Sequence, residues 1–442
     1  MPNCREPTTA SYASRTSGHR GKSASSGSAP VAARNLAGTL IRVLDRNLDS
    51  IREVVDAGLL SGAVTMVWQR GEVLQLGEIG YRDVSARTPI LRDTVFRIAS
   101  MSKPVTTAAA MTLVDEGKLA LDDPVTRWLP EFADMRVLED PGGPLSKTHP
   151  ARRTITVDDL LTHRSGLAYA FSVTGPLSRA YLRLPTRQYP DAWLAELTAL
   201  PLVHQPGERM TYSHATDVLG IILSRIEGKK LHDVMAERIF EPLGMRDTGF
   251  FVSSEGRRRA ATMYALSETG QLRDDVMGPP RITPPNFCLG GGGLWSKVDD
   301  YLRFARMLLA GGSIDGTRML SAEAVRLMRT NRLTDEQRRQ PFLDAPYWVG
   351  RGFGLGLSVV MDPAKSRPLF GPGGLGTFGW PGAYGTWWQA DPTQELILIY
   401  LVQNQPTLSA DAAAAVAGNT SQAKLMTARP RFVRRTYEAL EG

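Results

Sequence analysis

The chain has 442 residues, of which 42% are hydrophobic and 22% are charged, and its formal net charge is +7. This composition is typical of a globular protein with a large core, and the excess of positive charge is too small to indicate a nucleic-acid or anionic-membrane surface. Residues 1–34 contain five basic residues and one acidic residue, are rich in Ser, Gly and Arg, and show no apolar periodicity. We therefore expect a disordered tail there.

The tail has no apolar segment of the kind that a secretory signal requires, and the apolar runs of the chain are far shorter than the ~20 residues of a membrane span. We expect a cytoplasmic protein with no membrane or nucleic-acid partner. Cys4 lies in the tail, so it is not expected to pair with Cys288, the other cysteine. The six histidines show no metal-ligand spacing, and we expect neither a metal nor a cofactor.

The remaining chain divides into three regions by pattern. The first region predicts a helix over 36–57, strands over Ala63 to Gln69 and Val73 to Tyr81, a strand-like Phe96-Arg97-Ile98 and a helix from about Ser102 to Glu116. The middle region predicts helices at 157–163, 189–199, 214–227 and 231–239. The last region predicts a helix near 298–310, strands at Gly354 to Met361, Ala383 to Ala390 and Leu396 to Gln403, and a helix over about 420–440.

Strands near both ends and helices in the middle predict an α/β (α+β) fold. We expect one sheet domain formed by 35–105 and 286–442, interrupted by an all-α insertion at 106–285.

The segment Ser100-Met101-Ser102-Lys103 carries the chemistry. Residues i and i+3 of a helix share one face, so the Ser100 hydroxyl and the Lys103 amine are expected to be neighbours. A serine hydroxyl becomes a nucleophile when a partner removes its proton, and a lysine in a partly dehydrated cleft can be that partner. Ser100 also stands where a strand ends and a helix begins, where free backbone N–H groups favour a developing oxyanion.

A second Ser-x-x-Lys, from Ser421 to Lys424, lies in the predicted terminal helix. No strand leads into it and no companion motif follows, so we interpret it as structural. The Gly-x-Ser-x-Gly elbow of the α/β-hydrolases does not occur in the sequence, which argues against that fold.

Taken with its companion motifs, the chain resembles the β-lactamase/penicillin-binding superfamily of serine hydrolases, and most of all its esterase branch, the family VIII carboxylesterases. Ser-x-x-Lys is the first motif of that superfamily. The second motif begins with Tyr in the class C and esterase branches and is similar to Tyr212-Ser213-His214 here. Trp380-Pro381-Gly382 stands where β-lactamases have Lys-Thr-Gly and is typical of the esterases. Supporting segments are Leu160 to Leu167 and Gly290 to Leu294, and the resemblance spans roughly 36–440.

This resemblance implies a β-lactamase-like fold, with an antiparallel sheet flanked by the N- and C-terminal helices. It also implies that Tyr212 reaches the Ser100–Lys103 pair from the helical insertion, acts as a general base and later protonates the leaving group. The backbone N–H groups of Ser100 and Ala383 would form the oxyanion hole. Gly382 would let substrate approach an edge strand closely.

Two positions depart from the β-lactamase pattern. His214 replaces an Asn, so the amide contact expected there is absent, and Trp380 replaces a Lys that would hold a substrate carboxylate. An indole wall favours neutral, apolar groups. We therefore expect a carboxylesterase for short-to-medium acyl esters, with a weak β-lactamase side activity. Its expected substrate-binding residues are Trp380, Gly382 and His214.

The same fold carries other functions, and several stay open. The chain could be a β-lactamase, a D-amino peptidase or amidase, or an acyltransferase to a small alcohol. A non-enzymatic receptor that resembles a penicillin sensor is a further alternative, although an intact Ser100, Lys103 and Tyr212 argue against it. The expected partner is a small-molecule ester, and the sequence predicts neither the natural substrate nor the oligomeric state.

Overall fold

The computed structural model describes residues 44–405, except 187, 268–269 and 275–276, and residues 420–441. The expected disordered tail at 1–34 and the first residues of the predicted helix at 36–57 lie outside the described residues. The described residues all fall within one unit, which extends from residue 40 to residue 442.

The helices follow the apolar periodicity of the sequence. In chain order they are α1 (Asp49–Asp56), α2 (Ser102–Asp115), α3 (Val157–Leu161), α4 (Gly175–Tyr181), α5 (Pro190–Thr198), α6 (Ala215–Glu227), α7 (Leu231–Met235), α8 (Glu241–Leu243), α9 (Ser254–Arg259), α10 (Val298–Leu309), α11 (Ala322–Met328), α12 (Asp335–Arg339), α13 (Pro363–Phe370) and α14 (Thr420–Glu441). The helix that follows Ser100 ends just before Gly117, whose φ of 69° permits the left-handed turn that stops a helix.

The strands are β1 (Gly62–Gln69), β2 (Glu72–Asp83), β3 (Thr88–Pro89), β4 (Phe96–Arg97), β5 (Arg136–Leu138), β6 (Thr148–Pro150), β7 (Tyr264–Leu266), β8 (Leu272–Asp274), β9 (Trp295–Ser296), β10 (Ser313–Ile314), β11 (Thr317–Arg318), β12 (Arg351–Phe353), β13 (Ser358–Val360), β14 (Phe378–Gly379), β15 (Trp387–Asp391), β16 (Leu396–Val402) and β17 (Asn404–Gln405). Eight of them form the main sheet in the order β12-β13-β14-β15-β16-β1-β2-β3. Neighbouring strands in this sheet are antiparallel, as the pairing of Ala63 with Val402 illustrates.

Both faces of the main sheet are covered. Strand β16 is buried along its whole length, because its alternate residues face different cores. Leu398 and Tyr400 pack with Phe432 of α14 and Ile51 of α1, whereas Ile399 joins the large core that contains α2. The antiparallel sheet flanked by the terminal helices confirms the predicted fold class.

The region 106–285 is not purely helical, contrary to the expected all-α insertion. It contains the antiparallel pairs β5–β6 and β7–β8, and β7 also pairs in parallel with β17. These strands are only two or three residues long, too short for alternation to distinguish them in a sequence. The division of the chain into a sheet domain and an insertion stays a prediction.

Two predicted strands in the last region have different bounds in the structure. The run from Gly354 to Met361 contains a turn and then β13 (Ser358–Val360), which pairs with β12, the strand that ends just before the run at Phe353. The run that begins at Ala383 becomes a strand only at Trp387, because Gly382 N donates to Thr386 O at 2.8 Å and closes a tight loop. Among the described residues, no helix combines the length and the apolar character needed to cross a membrane.

Candidate active site

Ser100 lies at the junction of strand β4 and helix α2, in a 3₁₀ turn over Ala99–Met101. Ala99 has a φ of 46°, an uncommon backbone conformation for a residue with a side chain. The carbonyl of Ala99 accepts a hydrogen bond of 2.6 Å from Ser102 Oγ. Ser102 Oγ in turn accepts a hydrogen bond of 3.2 Å from Leu294 N. These contacts hold the backbone on either side of Ser100 in place.

Lys103 is fully buried one helical turn after Ser100. Its Nζ donates to Ser100 Oγ at 3.3 Å, to Tyr169 OH at 3.1 Å and to Gly291 O at 2.6 Å. An ammonium group has three N–H donors, so these three acceptors satisfy it completely. The contact between the Ser100 and Lys103 side chains, expected from their spacing, is therefore present.

Tyr212 lies beside this pair, on the loop that precedes α6, and its side chain is buried. Lys103 Nζ lies 4.6 Å from the centroid of the Tyr212 ring. The hydroxyl of Tyr212 accepts a hydrogen bond of 3.0 Å from Trp380 Nε1. The structure thus brings Tyr212 to the Ser100–Lys103 pair, with its ring facing the amine and its hydroxyl held by an indole.

Tyr169 is a residue of this site that the sequence reasoning missed. It accepts a hydrogen bond from Lys103 and lies close enough to the carboxylate of Asp217 to be affected by its charge. Burial, and next the negative charge of Asp217, raise the pKa of Tyr169 well above its usual range, which keeps the phenol neutral. Tyr169 lies two residues beyond the segment from Leu160 to Leu167, and no spacing rule relates it to Ser100.

Asp217 connects several parts of the site. Its Oδ2 lies 2.8 Å from His214 Nδ1, and its Oδ1 accepts a 2.7 Å bond from Gly291 N. Because the carbonyl of Gly291 binds Lys103, the carboxylate of Asp217 helps to fix Gly291, one of the three acceptors around that amine. His214 was expected to contact substrate. The structure pairs it with Asp217 and packs its ring against Tyr169, with ring centroids 4.3 Å apart.

Gly382 and Ala383 lie in the loop between β14 and β15, beside the strand that leads to Ser100. A Cβ on Gly382 would lie only 2.3 Å from Ile98 O, so this glycine allows close contact with the backbone two residues before Ser100. The expectation of an edge strand is wrong, because β14 ends at Gly379 and lies between β13 and β15. Neither Ser100 N nor Ala383 N has a hydrogen-bond acceptor among the described residues.

Trp380 is 2% exposed and forms one side of the site. It belongs to an apolar cluster whose buried members are Tyr212, Leu333, Phe342, Trp348, Phe353 and Trp380. The wall next to Tyr212 is therefore largely aromatic, and the indole N–H of Trp380 is already engaged by Tyr212.

Other candidate groups lie elsewhere. The second Ser-x-x-Lys falls within α14, where Lys424 is exposed, unlike Lys103. Cys288 is a buried free thiol whose pKa burial raises to about 12. Within the described part of the chain, no three His, Cys, Asp or Glu side chains are grouped so as to hold a metal ion.

Comparison with known proteins places this geometry in a family. The Beta-lactamase family model matches residues 49–420. The chain is 70% identical over 397 residues to Protein Rv1367c of Mycobacterium tuberculosis (strain ATCC 25618 / H37Rv), which covers 90% of this chain and 99% of that protein. It is 34% identical over 392 residues to Esterase EstB of Burkholderia gladioli, which covers 84% of this chain and 91% of that protein.

A solved structure shows the same architecture. EstCE1, described as a hydrolase with promiscuous acyltransferase activity, superposes with a TM-score of 0.72 at 26% sequence identity. The match covers 92% of this chain and 99% of EstCE1. The similarity thus extends over nearly the whole of each protein and includes members that hydrolyse esters or transfer acyl groups.

Proposed function

The chain belongs to the β-lactamase family, and from that premise we propose that it is a carboxylesterase that hydrolyses short-to-medium acyl esters through an acyl-enzyme on Ser100. The contact of 3.3 Å between Lys103 Nζ and Ser100 Oγ supports a serine nucleophile. The observation that carries the choice of substrate is Trp380, a buried indole that already donates its N–H to Tyr212. The similarity to Esterase EstB agrees with this choice.

The first step is attack by Ser100 Oγ on the ester carbonyl carbon. The hydroxyl proton passes to Lys103, which must be the neutral amine at that moment. The neutral amine keeps two N–H donors for Tyr169 OH and Gly291 O, while its lone pair faces Ser100 Oγ. The buried acceptors therefore orient the amine for proton transfer.

The negative charge that develops on the carbonyl oxygen requires donors. The backbone N–H groups of Ser100 and Ala383 are available for this task, because neither has an acceptor among the described residues. The close packing of Gly382 on the Ile98 carbonyl brings the loop of Ala383 to the strand that precedes Ser100. Two fixed amides of this kind form an oxyanion hole whose loss typically costs ~10²–10³-fold in rate.

Tyr212 completes the cycle. Its hydroxyl gives a proton to the departing alkoxide, which leaves as the alcohol, and the Lys103 ammonium returns a proton to the phenolate. Water then attacks the acyl carbonyl and gives its proton to the neutral Lys103 amine; the bond between the acyl carbon and Ser100 Oγ breaks, Lys103 returns that proton to Ser100 Oγ, and the free acid leaves. Each proton removed in one half of the cycle is thereby returned in the other.

The preference for neutral esters follows from the wall at Trp380. A β-lactam places a carboxylate close to its reacting carbonyl, and β-lactamases meet it with the Lys of their third motif. An indole cannot neutralise a carboxylate, and the single N–H of Trp380 is occupied. Substrates that are uncharged near the carbonyl are therefore favoured.

A substrate panel tests this proposal. We expect kcat/KM for 4-nitrophenyl esters of two to eight acyl carbons to exceed that for a chromogenic cephalosporin by a wide margin. If the cephalosporin is hydrolysed as well as the short esters, the esterase assignment fails and a β-lactamase takes its place.

A matched pair of serine variants tests the nucleophile. We expect S100A to lose ester hydrolysis by on the order of a thousandfold or more, with an unchanged melting temperature. S421A, in the second Ser-x-x-Lys, is the control and should retain full activity. A fluorophosphonate probe should label the wild type and S421A but not S100A, and labelling of S100A would contradict the assignment.

Acyl transfer is a second candidate, favoured by the similarity to EstCE1. It differs only in the acceptor, because an alcohol replaces water in the attack on the acyl-enzyme. Adding a small alcohol to the assay and measuring the ratio of new ester to free acid distinguishes the two functions. A product mixture dominated by the new ester in dilute alcohol would favour the transferase.

A further inference from the structure

Phe171 is an exposed aromatic side chain beside the candidate active site. It lies in a 3₁₀ turn over Ala170–Ser172 and is 46% exposed. Within the described part of the chain, five aromatic rings have centroids at most 6.2 Å from that of Tyr212, and they belong to His163, Tyr169, Phe171, Phe342 and Trp380. A molecule that reaches Tyr212 from solvent can contact Phe171, whereas His163, Phe342 and Trp380 are buried.

The turn that carries Phe171 is fixed to the backbone of Tyr212. The carbonyl of Tyr212 accepts a hydrogen bond of 2.6 Å from Ser172 Oγ. On the other side, the carbonyl of Ala170 accepts a bond of 2.7 Å from Ser178 Oγ of α4. Because the residues before and after Phe171 are both held, its ring has a defined position relative to Tyr212.

The ring of Phe171 stands at the end of a short aromatic stack. It packs face to face on Tyr169, with centroids 5.1 Å apart and an angle of 16° between the ring planes. The hydroxyl of Tyr169 accepts a hydrogen bond from Lys103 Nζ, which lies 3.3 Å from Ser100 Oγ. Tyr169 covers one face of the Phe171 ring, so the exposed part is the other face, where a third flat ring would continue the stack.

The proposed reaction places the alcohol portion of the substrate next to this face. Tyr212 gives its proton to the departing alcohol, so the alcohol oxygen must come within about 2.6–3.2 Å of the Tyr212 hydroxyl. The carbon skeleton on that oxygen cannot extend towards Trp380 or Phe342, which are buried and packed against Tyr212. The exposed ring of Phe171, 6.2 Å from that of Tyr212, is available to it.

We propose that the exposed face of Phe171 binds the alcohol portion of the ester and selects alcohols that carry a flat apolar ring, such as benzyl alcohol. This inference rests on the proposed esterase function and names the class of its leaving group. A phenyl ring matches the exposed face in shape and polarity, and both lose contact with water when they stack. A short alkyl alcohol leaves most of that face uncovered.

Three esters test on which side of the carbonyl the ring is bound. Benzyl acetate carries a phenyl ring on its alcohol, its isomer methyl phenylacetate carries the ring on its acyl group, and ethyl acetate has no ring. Because their leaving groups differ in basicity, each ester is compared between two proteins. We expect F171A to lower kcat/KM for benzyl acetate about tenfold, which corresponds to about 1.4 kcal/mol, and to change the other two esters little.

Further variants separate the flat ring from apolar bulk. F171W keeps a flat ring and should retain most of the activity on benzyl acetate. F171L keeps an apolar side chain without a flat face, so it should lose the preference for benzyl acetate over cyclohexylmethyl acetate. Y189A is the matched control, since Tyr189 is 67% exposed and makes no ring contact with Tyr212 among the described residues.

The outcomes that would contradict the proposal are specific. If F171A lowers kcat/KM for all three esters equally, Phe171 acts by supporting Tyr169 and Tyr212, and the proposal is overturned. It is also overturned if F171A affects methyl phenylacetate and not benzyl acetate, which would assign the ring to the acyl side. The same holds if F171A affects none of the esters or if Y189A reproduces its effect.

A binding measurement separates this inference from the proposed function. S100A keeps the ester intact, and benzyl acetate should raise its melting temperature more than ethyl acetate does at the same concentration. This difference should be lost in the double variant S100A/F171A, and its persistence there would overturn the proposal. If the wild type hydrolyses none of the esters, the esterase proposal fails, while the difference in melting temperature still reports the binding of the ring at Phe171.

Discussion

The indole Nε1 of Trp380 donates a hydrogen bond of 3.0 Å to the hydroxyl of Tyr212. This contact fixes the direction of the hydroxyl that we propose as the proton donor to the leaving group. It also means that Trp380 contributes to the site as a donor within the protein and not only as an apolar wall.

Replacing Trp380 by Phe removes the N–H and keeps an aromatic ring. We expect W380F to lower kcat about five- to tenfold, because one hydrogen bond contributes about 0.5–1.5 kcal/mol. W348F is the control, since Trp348 belongs to the same apolar cluster but makes no ring contact with Tyr212. Steady-state kinetics on 4-nitrophenyl butyrate decide the matter, and equal losses in the two variants would show that ring volume alone is responsible.

We expect Tyr169 to affect kcat, although it belongs to none of the recognised sequence motifs. Y169F removes one of the three acceptors of Lys103 Nζ. We expect kcat to fall by on the order of ten- to hundredfold, because the buried Lys103 amine, with one acceptor removed, changes its orientation towards Ser100. Y181F is the control: within the described part of the chain, the Tyr181 hydroxyl accepts only from the Ala168 backbone, so this variant should lose stability and keep kcat.

His163 holds the residues on both sides of Tyr212. Its carbonyl accepts a bond of 2.9 Å from Thr211 N, and its Nδ1 lies 3.1 Å from Ser213 Oγ. Its ring packs on Tyr212, with centroids 4.9 Å apart. Burial, and next the charge of Lys103, lower the pKa of His163 well below its usual range, so the imidazole stays neutral and acts as a positioning residue.

We expect H163N to lower kcat by on the order of tenfold with KM unchanged, because small misplacements of a reacting group are costly. Asn tolerates the left-handed φ of 54° found at this position. S213A should reproduce the effect, and the double variant should add little, since both changes break the same contact. A rise in KM with unchanged kcat, or independent losses that multiply, would show that His163 does not act through Tyr212.

The parts of the site that the sequence predicted are those governed by local spacing. The i, i+3 relation of Ser100 and Lys103, and the strand-to-helix junction that carries them, depend on a few consecutive residues. The same holds for the β1–β2 hairpin and for α14, whose apolar periodicity extends over enough residues to predict the element. Tyr212 and Trp380 followed from the resemblance, and the structure places the Tyr212 ring beside Lys103 and the Trp380 indole against Tyr212.

The remaining parts depend on contacts distant in sequence. Lys103 receives an acceptor from Tyr169, 66 positions away, and another from the Gly291 carbonyl, 188 positions away. A backbone carbonyl carries no side-chain signal, and a lone Tyr fits any buried aromatic position. The error at Gly382 has a similar cause, because the place of the two-residue strand β14 within the sheet is set by its neighbours and not by its own pattern.

Asp300 should make the stability of the fold depend on pH. Its side chain is buried, and its Oδ2 accepts bonds of 2.7 Å from Asp247 N and 3.0 Å from Thr248 Oγ1. Burial raises the pKa of Asp300 from 3.8 to about 6, although Lys297 Nζ lies 3.9 Å from its Oδ1 and opposes the shift. The charged carboxylate of Asp247 nearby adds to the cost of ionisation.

Because the pKa of Asp300 is higher in the folded state than in the unfolded state, its contribution to stability is fully present below about pH 4 and is lost as the pH rises through about 6. A shift of about two pKa units corresponds to at most about 3 kcal/mol. D300N cannot ionise, and the amide oxygen can accept both hydrogen bonds. We therefore expect D300N to be more stable than the wild type at pH 8, with the difference vanishing towards pH 4.

Asp247 supplies a control of opposite sign. Although burial raises its pKa, the ion pairs with Arg259 and Lys297 lower it overall, so its contribution to stability is present at neutral pH and is lost on acidification. D247N should therefore be less stable than the wild type at pH 8 and closest to it at low pH. Free energies of unfolding from urea denaturation at pH 4, 6 and 8 compare the three proteins. If D300N is less stable than the wild type by the same amount at pH 4, 6 and 8, the Asp300 carboxylate of the native wild type is ionised and paired. That outcome would contradict the argument from burial.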